Sequence, residues 1–281
     1  TRYGQLHAER EAFKNAAERG EETAGADLYV TLEPCCHTGK QPPCTEAVLA
    51  SGVKRVIVGC TDPNPVVAGR GIRLLREKGL EVVAGVLRGE CERQNEVFFH
   101  FMRTKLPFTV LKYAMTLDGK TATVSGKSQW ITGEAARKRV HEDRGRYMAI
   151  LTGVSTVLAD NPQLTCRIPG GKNPIRVIAD TKLRTPLSST VVQTARETPT
   201  WIVTAVSDAG RKKAYEDAGC RVLSVPAKEG ELDLQAMMQR LGEEKVDSVM
   251  VESGGTLAWS FLKAGLVNRV QAYIAPKIFG G

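Results

Sequence analysis

The sequence predicts an α/β protein with two domains, each built on a mostly parallel sheet that helices cover. Short runs rich in Val and Ile alternate with amphipathic stretches along the chain, which is the pattern of parallel strands joined by helices. The 281 residues also exceed the roughly 150 of an average domain. Because the pattern restarts after Lys105-Leu106-Pro107, we expect two domains, residues 1–105 and 106–281.

The first domain carries three apolar runs that predict strands, at residues 27–32, 53–60 and 80–86. Amphipathic periodicity predicts helices near residues 8–19, 44–51 and 70–78, and Gly79 closes the last of them. A further helical stretch, residues 89–104, leads to the domain boundary.

The second domain repeats this alternation. Strands are predicted near residues 108–115, 148–153, 175–180, 200–205, 220–225, 248–252 and 269–275. Helices are predicted near residues 132–146, 208–218, 233–244 and 256–265. Strands that alternate with helices in this way indicate a parallel sheet in this domain as well.

Charge and hydropathy limit the class of partner. The chain has 39 basic and 31 acidic side chains, a net charge of +8, which favours anionic ligands such as phosphate esters. No Lys/Arg block with interleaved aromatic residues is present, so a nucleic-acid groove is not indicated. No apolar run approaches the roughly 18 residues of a membrane helix, so we expect no membrane association.

The first fifty residues hold the strongest chemical signal. His7-Ala8-Glu9 opens a predicted helix, and Pro34-Cys35-Cys36 follows a strand, with Cys44 opening the next helix. One imidazole and two thiolates form a three-ligand set for Zn²⁺ that leaves a fourth position for water, as in catalytic zinc sites. H-x-E followed by P-C and a second cysteine is the zinc deaminase signature. We therefore predict that His7, Cys35 and Cys44 bind zinc.

Within this motif each residue has an expected role. Glu9 is close enough to the metal to move a proton between the attacking water and the departing amine. Cys44 lies at a helix N-terminus, which favours its thiolate. Cys36 is a rival ligand, but Cys35 directly follows proline, as in the signature. Eight residues separate Cys35 from Cys44, where the general signature has two.

The second domain lacks a G-x-G-x-x-G fingerprint. Gly254-Gly255 follows a predicted strand and Thr256 opens a helix, an arrangement that presents backbone N–H groups to a phosphate. The polar loop from Asp160 to Arg167 adds an arginine suited to bidentate phosphate recognition. These features predict an anionic ligand at the carboxyl ends of the strands.

Several longer motifs make the chain resemble one family, the bifunctional deaminase/reductases of riboflavin biosynthesis. They are Glu33-Pro34-Cys35-Cys36-His37, Asp62-Pro63-Asn64-Pro65, Gly69-Arg70-Gly71, Thr116-Leu117-Asp118-Gly119-Lys120, Ser128-Gln129-Trp130-Ile131-Thr132, Asp160-Asn161-Pro162-Gln163-Leu164-Thr165-Cys166-Arg167 and Glu252-Ser253-Gly254-Gly255. The resemblance runs essentially from end to end. It implies a cytidine-deaminase-like α/β/α domain followed by a dihydrofolate-reductase-like α/β domain.

The resemblance also implies the reaction. The family deaminates 2,5-diamino-6-ribosylamino-4(3H)-pyrimidinone 5′-phosphate with zinc and then reduces the ribosyl group to ribityl with NADPH. In the first domain it assigns zinc to His7, Cys35 and Cys44, proton transfer to Glu9, and pocket positions to His37, Asp62 and Asn64. The family also has a helix and strands before His7. The chain starts at Thr1 and ends at Gly281 after an apolar run, so we expect truncation at both ends.

For the second domain the resemblance assigns two sets of residues. The NADPH-contacting positions are Ala114, Trp130, Thr156, Asp160, Thr181, Gly254, Gly255 and Thr256. The substrate-contacting positions are Ser128, Arg144, Leu164, Arg167 and Glu252. The resemblance further implies a cytoplasmic homo-oligomer, and seven cysteines without the spacing of a secreted disulfide framework agree with a reducing compartment.

Two alternatives remain at this stage. The reductase-like domain could bind substrate or a partner without turnover, leaving the chain a zinc deaminase alone. The zinc motif could instead belong to a non-catalytic module that binds nucleic acid, although such a structural site would not need Glu9. NADPH oxidation with the deaminated intermediate separates the leading hypothesis from the first alternative.

Overall fold

The structure is a computed structural model that describes residues 6–39, 41–126 and 130–280. Its chain folds into two compact units, Thr1–Arg103 and Thr104–Gly281, divided two residues before the predicted boundary. Both units are α/β, as predicted. Within the described ranges, no helix is long and apolar enough to cross a membrane.

The first 104 residues alternate helices and strands. In chain order they form α1 (Ala8–Glu18), β1 (Asp27–Leu32), α2 (Cys44–Ala50), β2 (Arg55–Cys60), α3 (Arg70–Glu77), β3 (Glu81–Ala84), α4 (Arg88–Gln94) and α5 (Glu96–Thr104). The three strands make one parallel sheet in the order β1-β2-β3. The central strand β2 is the most buried because it has a neighbour on each edge, and its Val56 and Val58 pack with Val48 and Leu75 from the helices.

The predicted helical stretch over residues 89–104 is divided in two. Asn95 interrupts it with φ −107° and ψ 19°, and its side-chain amide donates a hydrogen bond of 2.9 Å to the carbonyl of Cys91. Asparagine competes in this way with backbone hydrogen bonding, which ends α4 and lets α5 begin at Glu96. Hydrophobic periodicity does not register such a local interruption.

The second unit is larger. It contains β4 (Phe108–Thr116), α6 (Glu134–Arg146), β5 (Ala149–Gly153), α7 (Val154–Asp160), β6 (Ile175–Ala179), α8 (Thr190–Gln193), β7 (Thr200–Thr204), α9 (Ala209–Asp217), β8 (Arg221–Ser224), β9 (Ala227–Lys228), β10 (Glu231–Leu232), α10 (Leu234–Glu243), β11 (Ser248–Glu252), α11 (Gly255–Lys263) and β12 (Arg269–Ala275). The short helices α7 and α8 and the β9-β10 hairpin are absent from the sequence prediction, since they are too short to show a period.

Seven strands form one parallel sheet in the order β12-β4-β11-β5-β6-β7-β8. Neighbouring residues of a strand belong to different cores: Ile178 packs on one face and Val177 on the other. Helices therefore cover both faces, which explains why the strands are continuous apolar runs. Strand β11 inserts between β4 and β5, and its register sets Glu252 beside Lys112. The carboxyl ends of distant segments thus meet at one edge of the sheet.

A buried arginine holds the connection between β6 and β7. Arg176 is fully buried on β6, and burial lowers its pKa to about 10. Its guanidinium donates to the carbonyls of Gln163, Val191, Thr194 and Thr198 at 2.8–3.2 Å, and to the Thr194 hydroxyl at 2.8 Å. One planar cation thereby links the loop after α7, helix α8 and the turn before β7 through charge-assisted hydrogen bonds.

Replacing Arg176 with methionine should therefore destabilise the second unit. The buried carbonyls and the Thr194 hydroxyl would lose their hydrogen bonds to a charged donor, at an expected cost of about 3 kcal/mol in the free energy of unfolding. Arg184→Met is the matched control, because Arg184 is exposed and its loss should change stability by less than about 0.5 kcal/mol. Urea denaturation of both variants checks this, and equal midpoints would contradict the role given to Arg176.

Candidate metal centre and ligand cavity

The residues of the zinc motif converge in the first unit. His7 immediately precedes α1, Cys35 lies in the loop after β1, and Cys44 is the first residue of α2. The Nδ1 atom of His7 lies 3.5 Å from Cys35 Sγ and 3.3 Å from Cys44 Sγ, and the three ligand atoms all fall within 4.8 Å of one another. His7 is 28 residues from Cys35 and 37 from Cys44 in the sequence, and packing of the helices against the parallel sheet brings the three together.

This geometry fits a zinc ion. Zn–S bonds of about 2.3 Å and Zn–N bonds of about 2.0 Å in a tetrahedron place neighbouring donor atoms about 3.6 Å apart, close to the 3.3 and 3.5 Å found here. Among the residues that the structure describes, no fourth His, Cys, Asp or Glu joins the group. Cys36, the rival ligand, lies outside it. A three-ligand set of this kind leaves one coordination position for water or substrate.

The two thiols share their protons unequally. A hydrogen bond from the Cys44 thiol is the main cause that lowers the pKa of Cys35 to about 5, and the Cys44 backbone N–H, 3.3 Å away, adds to it. The same pairing raises the pKa of Cys44. This pairing therefore favours ionisation of Cys35 first, with Cys44 as its hydrogen-bond donor, and the effect of the helix N-terminus on the Cys44 thiolate stays a prediction.

A buried carboxylate fixes the loop that carries Cys35. Glu33 accepts backbone N–H hydrogen bonds from Asp62, Gly69 and Ile72 at 3.1, 2.8 and 3.1 Å. Gly71 allows the loop to approach α3, because a Cβ at this position would overlap the carbonyl oxygen of Pro34. From the sequence alone, Glu33 is visible only as the first residue of the Glu33-Pro34-Cys35-Cys36-His37 motif. Its signal was a glutamate directly after a strand, which needs several buried donors to be stable there.

Glu9 lies in the first turn of α1 and is half-buried. Burial is the main cause that raises the pKa of its carboxyl group, and the neighbouring Cys35 charge acts in the same direction. Its side chain also interacts with Cys44. A carboxyl group with a raised pKa beside the metal ligands is suited to accept and release a proton.

The three predicted pocket positions differ in their surroundings. Burial raises the pKa of Asp62, and its carboxyl group interacts with the charges of His37 and Cys35. The Nδ1 atom of His37 is buried without a hydrogen-bond partner in the described part of the chain, so a bound ligand can satisfy it. Asn64 makes a local turn: its N–H donates to Asp62 Oδ1 at 2.7 Å and its Oδ1 accepts from Val66 N–H at 3.1 Å.

The second unit has a cavity of about 640 Å³ at the carboxyl ends of β4 and β11, a size suited to a small-molecule ligand. Eight of the predicted reductase residues line it: Ala114, Trp130, Arg144, Thr156, Asp160, Arg167, Glu252 and Gly254. Gly255 and Thr256 are not among the lining residues but follow Gly254 in the first turn of α11.

Two predicted positions lie outside the cavity lining, and a third cannot be placed. Leu164 is buried in the same hydrophobic core as Ile150 and Ile178, and its backbone has φ 54°. The hydroxyl of Thr181 contacts Glu231 at 3.3 Å and does not line the cavity. Ser128 falls outside the described residues.

A buried ion pair forms the floor of the cavity. Arg144 on α6 binds Glu252 on β11 through two parallel hydrogen bonds of 2.8 and 2.9 Å, and Lys112 on β4 lies 3.5 Å from the same carboxylate. Burial alone would raise the pKa of Glu252, but Arg144 and Lys112 outweigh it and hold the pKa below its usual range. The guanidinium of Arg144 is therefore engaged with Glu252. Arg167 is exposed, and among the residues that the structure describes its guanidinium makes only one long hydrogen-bond contact, to Gln163 Oε1 at 3.5 Å.

Four basic residues that line the cavity were not predicted from the sequence as site residues: Lys112, Arg137, Lys138 and His141. Arg137 lies over the ring of the exposed Trp130, 4.7 Å from its centroid. The lining holds five Lys or Arg side chains against three acidic ones, so it favours an anionic ligand. The helical spacing of Arg137, His141 and Arg144 on α6 is the signal that could have shown they share one face.

Comparison with known proteins identifies both units. Residues 2–60 match the cytidine and deoxycytidylate deaminase zinc-binding region, and residues 107–281 match the RibD C-terminal domain. The riboflavin biosynthesis protein RibD of Actinobacillus pleuropneumoniae is 50% identical over 278 residues, which cover 99% of this chain and 73% of that protein.

Solved structures agree with these matches. A diaminohydroxyphosphoribosylaminopyrimidine deaminase/5-amino-6-(5-phosphoribosylamino)uracil reductase from Thermotoga maritima is similar with a TM-score of 0.85 and 40% identity, covering 99% of this chain and 76% of that chain. Acinetobacter baumannii RibD gives a TM-score of 0.86 and 36% identity, covering 100% of this chain and 76% of that chain. The chain belongs to the RibD family of riboflavin biosynthesis, as a deaminase joined to a reductase that uses zinc in the first activity and NADPH in the second.

Proposed function

We propose that residues 1–105 deaminate 2,5-diamino-6-ribosylamino-4(3H)-pyrimidinone 5′-phosphate and that residues 106–281 reduce the ribosyl group of the product to ribityl. The observation that carries the first half is the group of His7, Cys35 and Cys44, whose donor atoms have the spacing of a zinc tetrahedron. The name of the Thermotoga maritima relative, which joins a deaminase and a reductase of such phosphoribosyl compounds, supports the substrate class.

In the deaminase, zinc when bound supplies the Lewis acidity that lowers the pKa of water toward about 7. Glu9 then takes a proton from the attacking water and delivers it to the amine that leaves as ammonia. The partly buried position of Glu9 supports this role, because a raised pKa makes the carboxyl group a better proton acceptor. His37 and Asp62 offer a buried ring nitrogen and a buried carboxyl group for recognition of the polar pyrimidine.

In the reductase, NADPH when bound supplies the hydride. The cavity at the carboxyl ends of β4 and β11 is where an open parallel sheet binds its ligand, and its excess of cations suits two phosphorylated molecules. Arg167 offers an exposed guanidinium for the substrate phosphate, whereas Arg144 and Glu252 form a rigid polar floor. Ala114, Trp130, Thr156, Asp160 and Gly254 supply the remaining wall for the cofactor.

The alternative function is a zinc deaminase whose reductase-like unit binds without turnover. The cavity of about 640 Å³, with its excess of cations and its Arg144–Glu252 pair, favours an active reductase over this alternative. We further propose that the enzyme works as a cytoplasmic homo-oligomer without nucleic-acid partners. The seven free cysteines support a reducing compartment.

The zinc ligands can be distinguished from their neighbour by metal content. Cys35→Ala and Cys44→Ala should each lose most bound zinc, because two protein ligands rarely hold the ion. Cys36→Ala should retain about one zinc per chain, since its thiol is outside the group. Metal analysis of the three purified variants checks this assignment. Zinc lost from Cys36→Ala and kept in Cys35→Ala would reverse it.

Glu9→Gln separates the two activities. Zinc should stay bound, while deamination measured as ammonia release should fall by about a hundredfold or more, the usual contribution of a general acid–base group. NADPH oxidation with supplied 5-amino-6-(5-phosphoribosylamino)uracil should remain unchanged, because this substrate enters after the deaminase step. Loss of zinc from this variant would show that Glu9 is a ligand.

Arg167→Ala tests the anion assignment in the cavity. The KM for 5-amino-6-(5-phosphoribosylamino)uracil should rise about tenfold to a hundredfold, because a charge-assisted hydrogen bond to the phosphate is lost. The KM for NADPH should stay nearly constant. Steady-state kinetics with each ligand varied in turn give both values. A change confined to NADPH would mean that the two ligands exchange places in this assignment.

A further inference from the structure

Two side chains of helix α6 form hydrogen bonds with the backbone of the loop after α7. His141 and Arg144 are three residues apart and therefore share one face of the helix. Arg144 donates to the carbonyl of Thr165 at 3.1 Å, and His141 Nδ1 accepts the backbone N–H of Arg167 at 3.2 Å. Arg144 thus binds the carbonyl of Thr165, and His141 binds the amide of Arg167, two residues further along the loop.

The main chain of His141 makes a further hydrogen bond to the same loop. Its carbonyl accepts a hydrogen bond from Cys166 Sγ at 3.0 Å, so His141 contacts both Cys166 and Arg167. By contrast, within the described ranges the Arg167 guanidinium makes only one long hydrogen-bond contact, to Gln163 Oε1 at 3.5 Å. The direction of the Arg167 side chain therefore depends mainly on how its backbone is held.

We propose that His141 is a positioning residue of the reductase: as a neutral imidazole it holds the Arg167 amide and thereby directs the Arg167 guanidinium toward the substrate phosphate. The inference rests on the proposed function, in which Arg167 binds that phosphate. An imidazole whose Nδ1 accepts a hydrogen bond carries its proton on Nε2, so only the neutral form fits this contact. A protonated ring would present an N–H to the N–H of Arg167.

The surroundings of the ring favour the neutral form. Its charged neighbours come from three elements: Arg144 and Lys138 on α6, Arg167 in the loop, and Glu252 on β11. Burial above all, and then the charges of Arg144 and Arg167, lower the pKa of His141 from its ordinary 6.5, against the opposing effects of the Thr165 carbonyl and Glu252. The contact is therefore intact at neutral pH and is lost as the pH falls through this lowered pKa.

The test uses two substitutions with different acceptors. His141→Asn keeps an acceptor oxygen near the position of Nδ1, whereas His141→Leu has similar bulk and no acceptor. The KM for 5-amino-6-(5-phosphoribosylamino)uracil should rise about tenfold in His141→Leu, the value of one hydrogen bond, with kcat changed less than about twofold. The KM of His141→Asn should stay within about twofold of the unsubstituted enzyme. Equal loss in both variants would overturn the proposal.

A pH series gives a readout that a merely structural role would not move. From about pH 8 to pH 5, the KM of the unsubstituted enzyme should rise more than that of His141→Asn, which has no imidazole to protonate. The substrate phosphate titrates near pH 6 in both proteins, so the ratio of their KM values removes its contribution. A ratio that stays constant with pH would contradict the proposal. This comparison does not need His141→Leu, so it remains decisive if that variant does not fold.

A double-mutant cycle with Arg167→Ala separates this inference from the proposed function. If His141 acts through Arg167, His141→Leu should not raise KM further in the Arg167→Ala background. A full additional rise would overturn the positioning role while leaving Arg167 as a phosphate ligand. If Arg167→Ala alone leaves KM unchanged, the assignment of Arg167 is overturned, and this inference with it.

Discussion

A buried carboxylate at the carboxyl end of a strand organises each site of this protein. Glu33 follows β1 and accepts three backbone N–H groups from the segment before and within α3, which fixes the loop that carries Cys35. Glu252 ends β11 and binds Arg144 and Lys112, which joins α6 and β4 beneath the cavity. Charge can be buried only where such partners compensate the loss of water, so these contacts constrain the surrounding loops to one arrangement.

The two sites use their charges differently. In the metal centre, two thiols and an imidazole lie together, and the lowered pKa of Cys35 favours the thiolate form that a metal ion needs. In the cavity, the central cation Arg144 is neutralised by Glu252, which leaves the exposed Arg167 with the more available guanidinium. Because Lys112 and Arg144 face the one carboxylate of Glu252, the floor keeps a positive charge, which together with Arg167 at its margin favours an anion.

Arg176 shows that buried charge serves structure as well as function in the second unit. Its guanidinium donates to backbone carbonyls and a hydroxyl, and no carboxylate of the described part of the chain accepts a hydrogen bond from it. One of those carbonyls belongs to Gln163, in the same loop that His141 and Arg144 hold from α6. The loop that presents Arg167 is therefore anchored both from the sheet and from the helix.

The sequence by itself determined the two α/β units, the histidine and cysteines predicted to bind zinc, and the family. Hydrophobic periodicity and short motifs are local properties of the chain. It did not show the break at Asn95, where one side chain ends a helix, nor the roles of Lys112 and His141. Lys112 reaches Glu252 across 140 residues, and Arg144 reaches it across 108. Only the insertion of β11 between β4 and β5 brings these groups together, because strand order and register are decided by packing of the whole sheet.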